Sequence, residues 1–336
     1  MIIATFNRPD SVARLLSELA EQTLDPSRYE VIVVDDGSVP PAAPRLSGLE
    51  VPYRLEVLTQ ANAGPAAARH RALERARGEL AVLVDDDMRV APNFLAAHRA
   101  AHPSGTRRAA LGPLRASSAL DLPLFERCHI ALLEKLEREV RNGETRLRGT
   151  NLYTGNVSFP RADYFAAGGF DLGFRISEDT ELGVRMERAG IELVIAEDAI
   201  ARHDSDHTSL ATWMRRSRAY GAADARIAAK HPGLAWANPW RFLVLMHPMA
   251  RPFLMACVLA PIAMKPASRA AMLMSMALAK LGAERVAVAG TTVVYGMQYF
   301  IGVRTHAGSL RRALRELRDY RALARATAPS AQGGSA

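Results

Sequence analysis

Two short apolar runs that each end in consecutive aspartates constrain the fold of this chain most strongly. EVIVVDDGS at residues 30–38 and ELAVLVDDDM at residues 79–88 both have the pattern of buried strands. Helical patterns lie before and between them, the clearest at residues 11–23 and 64–77. Alternating strands and helices predict an α/β fold with a mainly parallel sheet covered by helices on both faces.

The pattern changes further along the chain. Residues 93–150 are predicted to be mostly helical, with the clearest helix at 125–144. A helix is predicted to begin at residue 177, and residues 192–203 are predicted to form one strand. We find no internal repeat.

Composition narrows the class of protein. The chain has 336 residues, and its hydrophobic content of 49% excludes global disorder. A formal charge of +8 fits a nucleic-acid binder or a protein that rests on an anionic membrane. Two distant cysteines suggest neither a disulfide framework nor a zinc cluster, and no secretory signal is visible. A reducing cytoplasmic setting is therefore expected.

The three aspartates at residues 85–87 predict a ligand site. Ligands of parallel sheets gather at the carboxyl ends of the strands, where both aspartate clusters fall. In an extended segment, Asp85 and Asp87 would point the same way while Asp86 turns aside. Carboxylate oxygens suit Mg²⁺ or Mn²⁺, which also bind substrate phosphates. The alternative is a solvated acidic loop.

Four segments occur in the order found in family-two glycosyltransferases, and the chain resembles that family over roughly residues 1–220. They are IIATFNRPDSVARLLSELAEQT, YEVIVVDDGS, NAGPAAARHRALERARGELAVLVDDDMRVAPN and GGFDLGFRISEDTELGVRMERAG. The resemblance implies a GT-A (Rossmann-like) fold and inverting transfer of a sugar from a nucleotide-diphosphate donor. It also implies a divalent metal, Mn²⁺ or Mg²⁺, held by the Asp-x-Asp motif.

The resemblance assigns donor binding to residues from three motifs: Thr5, Asn7, Asp36, Arg69, Asp85 and Asp86. Asp36 is expected to accept a hydrogen bond from the uracil N–H, which favours UDP, although guanine and thymine donors stay open. Arg69 resembles a cation beside the diphosphate, since a guanidinium suits phosphate geometry. Asp85 would then face the ribose.

The metal is assigned to Asp87, with His203 resembling a further protein ligand at the end of a strand. His207 is a weaker rival for the same role. The alternative for either residue is a structural histidine, which is the more common case for a lone histidine.

Asp179 resembles the catalytic base, because inverting transfer needs a carboxylate to take the proton from the acceptor hydroxyl. Glu178 is expected to orient the site. Either carboxylate could instead only interact with a helix N-terminus. Asn156, in a Thr-Gly-Asn sequence, resembles an acceptor-side residue that contacts a hydroxyl.

The chain departs from the family pattern at three places. The pattern usually begins a few residues earlier, which suggests a misplaced start codon or a shortened first strand. His70 stands where asparagine is common. Residues 213–221 lack the Gln-x-x-Arg-Trp pattern of processive polysaccharide synthases, which favours an enzyme that adds a single sugar.

The last third of the chain is apolar and basic. Residues 242–264 and 286–303 are apolar, but prolines and a charge interrupt the first, and the second falls short of the about 20 residues that cross a bilayer. Membrane association at the cytoplasmic face is favoured over a soluble helical subdomain, and spanning is left open. The predicted division is a catalytic domain at 1–220, a helical apolar region at 221–305, and a basic amphipathic helix with a disordered tail at 306–336.

Competing hypotheses follow from these motifs. The first is transfer to a hydroxyl of a glycan or a lipid-linked acceptor in cell-envelope or exported glycan synthesis. The second is a polyprenyl-phosphate sugar synthase, whose lipid phosphate acceptor needs no deprotonation. The third is a nucleotide-sugar-binding protein without turnover. Nucleic-acid binding is not expected, because acidic strand ends would repel phosphate.

Overall fold

The structure, a computed structural model, describes residues 1–116, 122–203 and 209–327. The chain divides into two compact units, Met1–Thr208 and Ser209–Ala336. The predicted limit at residue 220 falls inside the first helix of the second unit, and the predicted three-part division stays a prediction. Most of the predicted disordered tail lies outside the described residues.

The first unit carries these strands: β1 (Ile2–Thr5), β2 (Glu30–Asp35), β3 (Arg54–Thr59), β4 (Leu80–Asp85), β5 (Met88–Val90), β6 (Arg108–Leu111), β7 (Leu114–Ala116), β8 (Asn156–Pro160), β9 (Glu192–Ile195) and β10 (Ala201–His203). Seven of them form one sheet in the order β3-β2-β1-β4-β8-β6-β9, and β5-β10-β7 form a second. In the large sheet only β8 runs antiparallel to its two neighbours. The prediction of a mainly parallel sheet is confirmed.

Helices cover both faces of this sheet: α1 (Pro9–Ala20), α2 (Ala43–Leu46), α3 (Pro65–Arg75), α4 (Phe94–Ala100), α5 (Leu124–Arg141), α6 (Arg161–Ala166) and α7 (Glu178–Arg188). Alternate side chains of each strand enter two different cores. In β2, Val31 and Val33 pack in one core with leucines of α1, while Ile32 and Val34 pack in the other with α3 and α7. Burial on both faces explains why these strands are continuous apolar runs rather than alternating ones.

Two predictions about secondary structure are wrong. Residues 192–203 form two strands, β9 and β10, because residues 196–200 turn the chain from the large sheet to the small one. The region 93–150 also contains β6 and β7, which the helical pattern did not indicate. Both strands are short and pair only with distant segments, so their own sequence carries little signal.

Two glycines fix the position of α7. A Cβ on Gly183 of α7 would lie 2.1 Å from the carbonyl oxygen of Gly149, and a Cβ on Gly149 would lie 2.2 Å from that of Gly183. The helix therefore crosses the 149–151 turn with its backbone in direct contact with the turn. This contact holds the helix that begins with Glu178 and Asp179.

The second unit is helical: α8 (Leu210–Lys230), α9 (Arg241–Leu245), α10 (Arg251–Leu259), α11 (Pro261–Lys280), α12 (Glu284–Ala307) and α13 (Leu310–Ala326). Its core surrounds α12, which packs against α8, α10, α11 and α13. Among the described residues, α12 is the one helix long and apolar enough to cross a membrane, which by itself is weak evidence. The apolar run at 242–264 is broken into α9, α10 and the start of α11.

We expect Gly183→Ala to lower the free energy of unfolding by about 1–3 kcal/mol, because the added methyl meets backbone that cannot move aside. Urea denaturation followed by circular dichroism measures this change. The matched control is Gly48→Ala, where an added Cβ has no neighbour within 4 Å. Equal stability of the two variants would contradict the close crossing of α7.

Candidate active site

Three neighbouring strands of the large sheet end at one edge and carry polar side chains there. Thr5 of β1 lies opposite Asp35 of β2, and Ala4 lies opposite Asp85 of β4. The parallel register places the β1 loop, the Asp-Asp-Gly-Ser segment and the three aspartates beside one another. The sequence predicted that these motifs lie together at the carboxyl ends of the strands, and the register of the strands places them there.

The aspartate triplet does not continue as an extended strand. β4 ends at Asp85, and Asp86 and Asp87 form the turn that leads into β5. The expectation that Asp85 and Asp87 point together while Asp86 turns aside is therefore wrong, because its premise was an extended segment. Asp86 and Asp87 are buried, whereas the Asp85 side chain is 34% exposed.

Arg8 supplies the positive charge that the aspartates need. Its Nη1 lies 3.0 Å from Asp86 Oδ1 and 3.0 Å from Asp87 Oδ2. The hydroxyl of Thr5 donates a second hydrogen bond, of 2.7 Å, to Asp86 Oδ2. Sequence reasoning missed Arg8. The available signal was its place in the loop after β1, since that loop leaves the sheet next to the end of β4.

Arg69 connects the two acidic motifs. Its guanidinium is buried and donates to Asp85 Oδ1 at 2.5 Å and to Glu178 Oε1 at 3.2 Å. Asp85 and Glu178 are 93 positions apart in sequence, and this arginine of α3 holds them together. The Arg69 side chain is thus engaged by two carboxylates of its own chain. Its predicted contact with a diphosphate stays a prediction.

Asp179 lies beside this pair in the first turn of α7. Ser177, two residues before Asp179, has a left-handed backbone with a φ of 59°, which is uncommon for residues other than glycine. Burial and the charge of Glu178 raise the pKa of Asp179 to about 7. A carboxyl group with a raised pKa of this size is suited to accepting a proton near neutral pH.

His203 meets Asp87 because of strand pairing in the small sheet. The antiparallel register of β10 and β5 places His203 opposite Met88, the residue after Asp87. His203 Nε2 lies 3.6 Å from Asp87 Oδ2. Burial raises the pKa of Asp87 to about 6, partly offset by the charge of His203. His207, the weaker alternative, lies outside the described residues.

One atom in this group stands out for its lack of partners. Asp87 Oδ1 is buried and accepts no hydrogen bond from the described part of the chain. A buried carboxylate oxygen without a partner is costly, so such an oxygen is a candidate ligand for a cation. Among the described residues, no group of three or more His, Cys, Asp or Glu side chains is arranged to hold a metal ion. Asp87 and His203 alone would therefore leave coordination positions for other ligands.

Asp36 lies at the same edge, at the end of β2. Its Oδ1 accepts hydrogen bonds from Gln60 Nε2 at 2.7 Å and from the Ala63 amide at 2.9 Å, and its Oδ2 accepts one from the Gly64 amide at 2.8 Å. A carboxylate has about four acceptor positions, so these three bonds leave Asp36 capacity for one more donor.

Asn7 shapes the neighbouring loop. It has a φ of 57°, its backbone amide donates to Ser38, and its side chain accepts from the Val39 amide. Asn7 and Ser177 are the non-glycine residues of the described chain with positive φ. Asn7 precedes Arg8, and Ser177 precedes Glu178, so both lie next to charged residues of the cluster. Sparsely populated backbone conformations of this kind are common at functional sites.

The backbone of Asn156 pairs with Val84, next to Asp85, but its side chain contacts residues outside this cluster. It is fully buried, and its carboxamide contacts His98 Nε2 at 2.8 Å and donates to the carbonyl of Ala199 at 2.8 Å. These contacts do not support the predicted role of Asn156 in binding an acceptor hydroxyl. Its neighbour Gly155 does reach the site, since a Cβ there would lie 3.0 Å from Asp85 Oδ2.

Comparison with known protein families assigns the chain to a class. The family described as "Glycosyl transferase family 2" matches residues 1–144, and "Glycosyl transferase family group 2" matches residues 80–295. The second match covers more than half of the chain. The chain belongs to glycosyl transferase family group 2, and its first 144 residues also match family 2, as the sequence motifs predicted.

Individual relatives have low sequence identity to the chain. The chain is 26% identical over 238 residues to a validoxylamine A glucosyltransferase of Streptomyces hygroscopicus subsp. limoneus, over 62% of this chain and 52% of that protein. It is 33% identical over 89 residues to the poly(ribitol-phosphate) β-N-acetylglucosaminyltransferase TarS of Staphylococcus aureus, over 26% of this chain and 16% of that protein. The chain thus spans about half the length of the first of these relatives.

Solved structures share the fold. The mannosyltransferase PcManGT of Pyrobaculum calidifontis, in complex with GDP-Man and Mn²⁺, aligns with a TM-score of 0.55 at 19% identity, over 88% of this chain and 84% of that one. S. aureus TarS 1–349, in complex with UDP-GlcNAc, aligns with a TM-score of 0.53 at 17% identity, over 97% of this chain and 90% of that one. The expected GT-A fold is confirmed.

We expect Arg8→Met to lower the free energy of unfolding by about 1–3 kcal/mol, because it leaves Asp86 and Asp87 buried side by side without their shared cation. Urea denaturation at pH 8, above the raised pKa of Asp87, measures the loss.

The control is Arg45→Met, which removes an exposed ion pair with Asp10 and should change stability by less than about 0.5 kcal/mol. An Arg8→Met chain as stable as the Arg45→Met chain would mean that Arg8 does not balance the aspartates.

Proposed function

We propose that this chain transfers a sugar from a nucleotide-diphosphate donor, UDP in the first instance, to an acceptor hydroxyl with inversion at the anomeric carbon. One observation carries the proposal. Arg69 joins Asp85, from the motif expected at the donor, to Glu178, the neighbour of the expected base. Donor binding and proton removal would then occur at adjacent carboxylates.

The donor would be held by residues of three strand ends. Asp36 keeps an acceptor position for a ring N–H of the base, as uracil offers. Thr5 and Asn7 belong to the loop beside it, and Asp85, the most exposed of the three aspartates, would face the ribose. UDP is favoured on this basis, and the solved relatives carry UDP-GlcNAc in one case and GDP-Man in the other.

Asp87 and His203 fit a divalent cation, Mn²⁺ or Mg²⁺. The unpartnered Asp87 Oδ1 and the nearby His203 Nε2 are suitable ligand atoms, and these ions commonly complete their shell with substrate phosphates and water. When bound, such an ion supplies positive charge to the departing diphosphate. Asp86, held by Thr5 and Arg8, would keep Asp87 in position.

Asp179 would take the proton from the acceptor hydroxyl as that oxygen attacks the anomeric carbon. Its raised pKa makes it a stronger base than an ordinary aspartate. Glu178, held by Arg69, adds the negative charge that keeps this pKa high and fixes the start of α7.

The acceptor is proposed to be a glycan or a lipid-linked molecule of the cell envelope, with the enzyme at the cytoplasmic face of the membrane. The names of two relatives, poly(ribitol-phosphate) glycosyltransferases of Bacillus spizizenii and S. aureus, support an envelope acceptor. The apolar and basic composition of the second unit supports its association with the membrane.

We expect Asp179→Asn to lower kcat by at least about 100-fold, because an amide cannot accept the proton. Release of UDP from a UDP-sugar measures this loss. In the unchanged enzyme, kcat/KM should fall about tenfold per pH unit below about pH 7, where Asp179 becomes protonated, and stay level above it.

Donor binding provides the control, since Asp179→Asn should keep the thermal shift that UDP produces. Full transfer to a polyprenyl phosphate by this variant would support the lipid-phosphate alternative instead, because that acceptor needs no base. A pH profile without loss below pH 7 would count against Asp179 as the base.

We expect Asp87→Asn to remove the additional stabilisation that Mn²⁺ gives to the complex with UDP. The physical reason is that the substitution removes the negative charge of the Asp87 carboxylate, whose Oδ1 has no hydrogen-bond partner among the described residues. Thermal shift with UDP, GDP and TDP, each with and without Mn²⁺, measures this effect and also identifies the nucleotide.

The matched control is Asp198→Asn, an exposed acid of the same unit, which should retain the full Mn²⁺ response. Retention of the response by Asp87→Asn would refute the metal assignment. No stabilisation of the unchanged chain by any nucleotide would refute the proposed donor class.

A further inference from the structure

We propose that the second unit docks in the plane of an anionic lipid membrane through one exposed face of α9, α10 and α11, while α12 stays inside the unit. We call this surface the docking face and define it by its exposed apolar side chains: Val244, Leu245, Met249, Phe253, Leu259, Ile262, Leu273, Met274 and Leu281. The inference specifies the membrane part of the proposed function, but its tests require no glycosyl transfer.

Exposed apolar side chains are concentrated in this one segment. The structure describes seventeen large hydrophobic residues as exposed, and ten of them fall within residues 244–286. Ile262 is 83% exposed, Leu281 82% and Met249 78%. Single exposed apolar residues are ordinary, whereas a continuous series of them indicates a surface that another phase or molecule covers.

Helix α11 buries one face on α12 and exposes its apolar residues on the other side. In α11, Ser268, Met272 and Ser275 are buried, and they follow the three-and-four spacing of one helix face. This face packs on α12, since a Cβ on Gly290 of α12 would lie 2.4 Å from Ser275 Oγ. The exposed Ile262 and Leu273 are therefore on the side of α11 that points away from α12.

The short helix α10 follows the same arrangement. Leu254, Cys257 and Val258 are fully buried, and Leu254 contacts Gly296 of α12. Phe253 and Leu259, 54% and 55% exposed, lie on the remaining face. Both helices thus bury one face on α12 and leave an apolar face uncovered.

The positive charge around the docking face favours an anionic lipid surface as its binding partner. Between Asp224 and Glu284 the sequence has seven Lys and Arg residues and no Asp or Glu. Lys265, Arg269 and Lys280 are exposed on α11, beside the apolar residues of the docking face. Long basic side chains next to apolar ones fit the boundary between acyl chains and phosphate headgroups, which attract them electrostatically.

The same features argue against crossing the bilayer. α11 has 20 residues, but Lys265, Pro266 and Arg269 lie within its first half, and charges within a lipid-exposed span are costly. α12 is long enough, yet 61% of its apolar window is buried within the unit.

Backbone contact also holds α12 inside the unit. A Cβ on Gly302 would lie 1.9 Å from the Arg218 carbonyl oxygen of α8, and Gln298 is fully buried and donates to Ser268 of α11. Withdrawing α12 into lipid would break this packing. The unit is therefore built to lie on the membrane.

The first experiment is co-sedimentation of the purified full chain with vesicles of phosphatidylglycerol and phosphatidylcholine in equal parts. We expect binding to these vesicles, little binding to phosphatidylcholine alone, and release by sodium carbonate at high pH. Ile262→Glu with Leu273→Glu should lower the partition coefficient at least about tenfold, because both side chains would carry charge into the acyl boundary.

The matched control is Leu132→Glu with Leu314→Glu, two exposed leucines elsewhere in the chain, which should bind vesicles like the unchanged protein. Lys265→Gln with Lys280→Gln should weaken binding to the anionic vesicles several-fold, and Arg318→Gln with Arg321→Gln on α13 should weaken it less. An equal loss in the α13 variant would overturn the assignment of the docking face.

Hydrogen–deuterium exchange on the unchanged chain keeps the proposal testable if a variant fails to fold. Vesicles should slow exchange within residues 244–281 and leave the first unit unaffected. Resistance to carbonate would indicate a spanning helix. A dimer in solution that Ile262→Glu dissociates, with no vesicle binding, would assign the face to a second copy of the chain. If the unchanged chain does not bind the anionic vesicles but still turns over a UDP-sugar, the docking face is refuted and the proposed function is not.

Discussion

Five acidic side chains from two distant segments meet at one edge of the large sheet, and two arginines bind four of them. Arg69 lies between Asp85 and Glu178, and Arg8 is shared by Asp86 and Asp87. Buried like charges repel and are poorly solvated, so without these cations the strand ends and the start of α7 could not approach. Burial, together with the neighbouring carboxylates, raises the pKa of Asp87 and of Asp179, and the arginines partly offset this rise.

The sequence was most informative where strands are buried on both faces. The apolar runs of β2 and β4, and the aspartates that end them, predicted the mainly parallel sheet and the edge where the motifs gather. It was least informative where distant pairing decides the structure. β10 and β5 are three residues each, and only their antiparallel register places His203 beside Asp87. Arg8 was missed for the same reason, because its partners follow it by 78 and 79 positions.

Asn156 and Gly155 show that adjacent residues of one motif can have very different surroundings. The Thr-Gly-Asn sequence does lie at the start of β8, next to β4. The asparagine side chain is buried beside the sheet, where His98 of α4 and the carbonyls of Pro113 and Ala199 are its hydrogen-bond partners. The glycine is the residue that approaches Asp85. A resemblance between sequences identifies the segment, but the pleat of the strand decides which side chain faces the site.

The shared contact of Arg8 with Asp86 and Asp87 has a consequence for how the first unit is made in the cell. Zinc fingers and similar small domains fold only when their metal arrives, because nothing else neutralises their ligands. Here an arginine from the first loop balances the aspartates as soon as β1 and β4 pair. The first unit thus has an internal cation for these carboxylates before any ligand binds. If Asp87 and His203 hold a divalent cation as proposed, scarcity of that cation would lower turnover without lowering the amount of folded protein.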